Sequence, residues 1–132
     1  MRLVLWRAAI DDYVPDAASF ARDRADAEAY LDNPSFGGGS LFRARVETKA
    51  ERVLNLYDER RPVEFLVEQL GLRHPGALGV EEWIPGDPTV QEALAAAGYD
   101  WVVVRDSFPP GAETWMWIGP FDREPELVPV RR

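Results

Sequence analysis

"DPTVQEALAAAGYDWVVVRD", Asp87 to Asp106, joins two kinds of secondary structure without a linker, and its reading decides the fold class. Asp87 suits an N-cap, where a carboxylate accepts from an otherwise unpaired amide of the first turn, and Pro88 suits N1, where no donor is needed. The alanine-rich turns favour a helix, and Gly98 ends it by taking up the left-handed conformation at no steric cost. "WVVVRD" follows at once, aromatic and β-branched, and reads as a strand. A further strand, "TWMWIGP", comes after the turn "SFPPGAE", with Trp115 and Trp117 on one face and expected in the core.

Upstream, "RLVLWRAA", Arg2 to Ala9, reads as a central strand. "SFARDRADAEAYLD", Ser19 to Asp32, is a helix-like run, with Asp23 as N-cap for a helix through Ala25, Ala27, Ala29 and Leu31. "NPSFGGGS" ends it as a flexible turn. It has neither a strand before it nor the spacing and Lys-Ser/Thr of a phosphate loop. "SLFRARVET" alternates Phe42, Ala44 and Val46 against Leu41, Arg43, Arg45 and Glu47, the pattern of a strand with one apolar face. "RVLNLYD", Arg52 to Asp58, reads as another strand, and "RPVEFLVEQLGL" as a helix with Pro62 in its first turn and Gly71 as C-cap. A Gly- and Pro-rich loop runs from there to Asp87, and the "LVPVRR" tail is expected to be partly loose. The class is α+β, and 132 residues without a repeat or linker suit one domain, residues 1–132.

Composition narrows the functions. Apolar content of 46% with 11% aromatics is that of a globular chain. A formal charge of −8 disfavours a nucleic-acid partner, since phosphate-backbone binders carry a basic surface. The absence of cysteine removes disulfides, thiolate nucleophiles and Cys-bearing zinc sites, and the single histidine, His74, excludes a His-rich metal centre, so no metal is expected. His74 lies in "RHPGALG", without a GxSxG elbow elsewhere, and reads as a surface residue. Glu81 and Glu82 read as a solvated edge. The opening "MRLVLWRAAI" is too short in its apolar run for a signal peptide or membrane span, so the expectation is a soluble, cytoplasmic protein away from membranes.

Three residues in chain order stand out: Arg7 in "LWRA" on the first strand, Tyr30 at the end of "SFARDRADAEAY", and Glu113 in "AETWMWIGPFD" heading the last strand. This order resembles the motifs of the ADP-ribosyltransferase superfamily: a strand-borne Arg or His, a middle element and a late Glu. Phe20-Ala21, then eight residues, then Tyr30, is similar to the "FA…Y" segment of the diphtheria-toxin-like and poly(ADP-ribose) polymerase branch. "GYDWVVVRD…AETWMWIGPFD" resembles the ending of small bacterial and phage members. The resembling segments cover about half of the chain. The sequence departs from the pattern at Ala8 and at Trp101, near the base of the cleft the family would place there, where the family has glycine, and at Gly111, where a second Glu or Gln would stand in arginine-modifying toxins.

The resemblance implies a split β core with flanking helices and an NAD cleft. It implies transfer of ADP-ribose from NAD, a consumed substrate, to an unknown acceptor such as a protein, or hydrolysis of NAD. Glu113 and Tyr30 would be catalytic. Arg7 with Trp6, Ala8, Phe20, Ala21 and Tyr30 would hold the dinucleotide. Breaking the nicotinamide–ribose bond develops an oxocarbenium-like cation, which a carboxylate stabilises, as expected of Glu113. An aromatic ring positions the leaving nicotinamide, as expected of Tyr30, and a planar guanidinium suits a diphosphate, as expected of Arg7. The residues themselves leave alternatives open. Tyr30 can equally be a core residue with its hydroxyl at the surface, Arg7 an exposed side chain or the partner of a nearby acid, and Glu113 an exposed turn carboxylate. The alternative function is a catalytically silent domain of the same fold that acts as a protein-interaction module.

Overall fold

The computed structural model describes residues 1–132 and is a mixed α+β structure. Its backbone is β1 (Arg2–Ala9) and β3 (Ser40–Glu47), antiparallel along their whole length from Arg2↔Glu47 to Ala9↔Ser40. The other strands are β2 (Ser19–Ala21), β4 (Val53–Asn55), β5 (Trp101–Arg105), β6 (Glu113–Trp117) and β7 (Val128–Val130). All seven form one sheet in the order β4-β5-β6-β2-β1-β3-β7. Only β4 and β5 run parallel, and that connection contains α2 (Pro62–Leu70), α3 (Val80–Gly86) and α4 (Pro88–Ala96). The first helix, α1 (Arg24–Asp32), follows β2 directly.

Strand alternation divides the apolar residues between two cores. On one face Trp101 and Val103 of β5 join Trp115 and Trp117 of β6, Phe20 of β2 and Leu5 of β1. Trp101 is the hub, meeting Phe20, Trp115 and Trp117 edge-on at centroid distances of 5.4, 5.9 and 5.0 Å. Such pairs add roughly 0.5–1.5 kcal/mol each beyond the area they bury. On the other face Val102, Val104 and Met116 pack under Leu66, Trp83, Ile84 and Leu94 of the three later helices. Burial on both faces explains the unbroken apolar run of β5. The first helix rests Ala27 on Ala21 and Leu41, which lets the helix approach the sheet closely.

Helix ends follow their local chemistry. The Asp87 carboxylate accepts from the Thr89 amide at 3.0 Å, as an N-cap should, and also from the Trp83 indole at 3.2 Å, which ties α4 to α3. Gly71 closes α2 at φ +64°. Asp23 stands at the N-cap position of α1, but its side chain makes no capping hydrogen bond.

Four expectations are corrected. Ser19–Ala21 is not part of a helix but a three-residue strand, held between β1 and β6 by Trp6↔Ala21 and by Ser19↔Met116 through Ala21↔Thr114. "RVLNLYD" keeps only Val53–Asn55 as strand and then turns. The loop before Asp87 contains α3, whose Pro85 sits inside the helix. The tail is tied down, since Val128–Val130 pairs with Arg43–Leu41 of β3. Trp115 and Trp117 are buried, as their spacing predicts. No helix is long and apolar enough to cross a membrane.

Candidate functional site

The sheet opens a fork between β1 and β2. These strands share the single pair Trp6↔Ala21; beyond it β1 continues with β3 through Arg7↔Phe42 and Ala8↔Leu41, while β2 continues with β6. A cavity of about 260 Å³ occupies this fork beneath α1. The volume lies just below the roughly 300–1,000 Å³ of sites that enclose drug-sized ligands. Trp6, Arg7, Ala8, Phe20, Ala21 and Tyr30, widely spaced in the sequence, all line it.

Arg7 bridges the fork, its Nη1 donating to the Ser19 carbonyl at 2.9 Å, with the guanidinium 5.8 Å from the Phe20 ring centre. Its Nε is buried and has no hydrogen-bond partner. Burial pushes the guanidinium below its usual pKa, opposed by Asp11 across the loop, yet a guanidinium stays charged at neutral pH. An unfilled, desolvated donor on a cation is a costly arrangement unless an anion completes it.

Tyr30 reaches the same cavity from the last turn of α1 and is locked in place. Its hydroxyl donates to the Phe108 carbonyl at 2.7 Å and lies 3.4 Å from Asp106 Oδ2. The ring stands edge-on to Phe108 at 5.1 Å and to Phe36 at 6.5 Å. Burial, and then the Asp106 carboxylate, push its pKa up to about 12, so the phenol is neutral and serves as a wall rather than a base. Asp106, at the end of β5, is fully engaged: Oδ1 accepts from the Ser107 and Phe108 amides at 2.7 and 3.3 Å, and Oδ2 from the Thr114 hydroxyl at 2.9 Å. It orients Tyr30 and the following turn.

Two placements differ from the sequence reading. Glu113 does not line the cavity. Its neighbour Thr114 turns toward Asp106, so by strand alternation Glu113 points to the other face, where its carboxylate accepts from the Trp115 indole at 2.8 Å. Trp101, expected near the base of the cleft, does not line it and is the aromatic support behind Phe20. Conversely, Asp26 belongs to none of the motifs although it lines the cavity. Its spacing from Tyr30, one turn of α1, is the signal that places both on one helix face. Desolvation and then the neighbouring Asp23 raise its pKa, and no cation opposes them.

A more open hollow of about 680 Å³ lies between Tyr57, Arg61, His74 and Glu81. Its size is less telling than its lining, where exposed charges pair with one another, Arg61 with Glu64 and Arg105 with Asp58. His74 sits there at the surface with Glu64. No group of three or more His, Cys, Asp or Glu is placed to hold a metal ion.

No family model matches the sequence, no curated protein matches it, and no solved structure matches its fold. The functional reading therefore rests on the cavity, where Arg7, Phe20-Ala21 and Tyr30 meet while Glu113 faces away.

Proposed function

We propose that the chain is an ADP-ribosyltransferase-like domain that binds NAD in the fork between β1 and β2. The observation that carries this reading is the convergence of Arg7, Phe20-Ala21 and Tyr30 on one cavity. The fork itself, with its single shared pair, is what a split β core would need in order to admit a ligand between strands. The cavity's size suits one half of a dinucleotide, the nicotinamide and its ribose, with the remainder outside. Arg7 has the unfilled donor that a diphosphate or ribose oxygen would complete. Tyr30 and Phe36 offer flat apolar surface to the nicotinamide ring.

In the transfer reaction the nicotinamide–ribose bond breaks, and its electron pair leaves with nicotinamide, which becomes neutral. The ribosyl cation is then captured by an acceptor, a protein nucleophile or water, which releases its proton. This chain's residues hold the ring and the diphosphate or ribose oxygens so that the bond lies fixed at the fork; positioning of this kind is a large part of the rate. A second reading, the silent domain that interacts with a protein partner, is favoured by one observation. The Glu113 carboxylate, engaged by Trp115, lies outside the cavity.

Nicotinamide release at saturating NAD separates the two. Release by the wild type supports the transferase or hydrolase. Binding of NAD without release supports the silent domain. Glu113→Gln keeps an acceptor for the Trp115 indole, so release unchanged within about twofold and stability unchanged within about 0.5 kcal/mol are expected. A loss of a hundredfold or more would restore Glu113 to the mechanism.

A further inference from the structure

The cavity holds two carboxylates in different states. Asp106 spends both oxygens on the backbone amides of Ser107 and Phe108 and on the Thr114 hydroxyl, so it belongs to the scaffold. Asp26 lines the same space with no hydrogen bond or ion pair on its oxygens. It stands one helical turn before Tyr30, whose ring is pinned by the bond to the Phe108 carbonyl and is flanked by Phe36. A free carboxylate beside aromatic walls is the chemistry that recognises a flat organic cation, through direct charge attraction and through the negative ring faces. The opposite charge, Arg7, makes no direct salt bridge, its only acidic neighbour being Asp11, and its buried Nε has no hydrogen-bond partner. A cavity that keeps an incompletely satisfied cation and an unpaired anion suits a ligand carrying both charges.

We propose that Asp26 is the counter-ion for a cationic ring in this cavity and a specificity-determining residue of the site, selecting a pyridinium-type ligand over its neutral form. This rests on the NAD reading for the identity of the dinucleotide, though the charge preference belongs to the cavity. Oxidised NAD carries the ring cation, whereas its reduced form has the same diphosphate and a neutral dihydronicotinamide ring. A site that uses Asp26 in this way binds the oxidised form in preference to the reduced form at equal concentration.

Calorimetric titration of wild type and Asp26→Asn with both dinucleotides tests this, and the pair 1-methylnicotinamide, a cation, and nicotinamide, its neutral parent, tests the ring alone. The expected result is a preference of the wild type for each cationic member by about three- to tenfold, as one partly screened charge pair supplies. Asp26→Asn should weaken only the cationic members, and Asp26→Glu should recover part of the preference. Equal binding of charged and neutral members by the wild type overturns the proposal, as does an equal weakening of both by Asp26→Asn. If neither dinucleotide binds but 1-methylnicotinamide is held through Asp26, the NAD reading fails and the counter-ion role stands. If none of the four binds, both fall.

Discussion

Arg7 is a charge that the folded chain leaves incompletely satisfied, and that gives it a testable signature. Its one hydrogen bond goes to the Ser19 carbonyl, while the buried Nε has none. Replacing a poorly compensated buried cation by an apolar side chain of similar length is often neutral or stabilising. Arg7→Met should therefore leave the melting temperature unchanged or raise it while abolishing anion-dependent ligand binding; a fall equivalent to more than about 2 kcal/mol would assign Arg7 a structural role. Tyr30 makes the complementary case. Its pKa rises from 10.0 to about 12, so the folded state keeps a proton that the unfolded chain has released. The associated stability is complete below the unfolded value and is lost as pH climbs from 10 toward about 12. Tyr30→Phe should lower stability at neutral pH by about 1 kcal/mol and flatten that alkaline loss, as read by denaturant titration across the range. Retention of the wild-type slope would place the titration elsewhere. At this scale the motifs single out Arg7 and Tyr30, which meet at the cavity, whereas the strand parity that turns Glu113 away from it is not legible in the sequence. Only the direction of Thr114 reveals that its neighbour faces away.

The elements explain why some of the fold was legible and some was not. Helix α4 and strand β5 carry their own punctuation and period, and their boundaries follow from Asp87, Pro88 and Gly98. Strands β2, β4 and β7 are three residues each, too short for alternation to emerge, and exist because a neighbouring strand pairs with them. The fork between β1 and β2 belongs to this class: nothing local announces that pairing stops after Trp6↔Ala21. Nor does the "FGGGS" turn announce its role. Gly39 has φ +148°, and a Cβ there would meet the Ala9 carbonyl oxygen at 2.9 Å and the Phe36 ring at 2.8 Å. The glycine lets the turn close against the end of β1 and sets Phe36 against the cavity. Gly39→Ala should cost about 1–3 kcal/mol in chemical denaturation and displace Phe36, weakening any ligand that stacks there. An unchanged midpoint and unchanged binding would show that the turn simply re-forms.

For the whole molecule, one sheet does two jobs: the Trp101 cluster makes one end of it rigid, and the parting of β1 and β2 makes the other end hollow. The net charge of −8 is unhelpful to a dinucleotide approaching from solution, so the proposed binding would have to come from the few groups inside the fork. Any ligand of the folded state alone also stabilises it, by about 2.7 kcal/mol at a hundredfold excess over the dissociation constant, so occupancy is readable as a rise in melting temperature. The proposal of an NAD site built around Arg7, in the cavity between β1 and β2, stands or falls on a calorimetric titration of NAD into the wild type and into Arg7→Met. Saturable binding of one NAD per chain is expected in the wild type, with loss of that binding in a variant that melts no lower. Absence of binding to the wild type, or equal binding by both proteins, would contradict it.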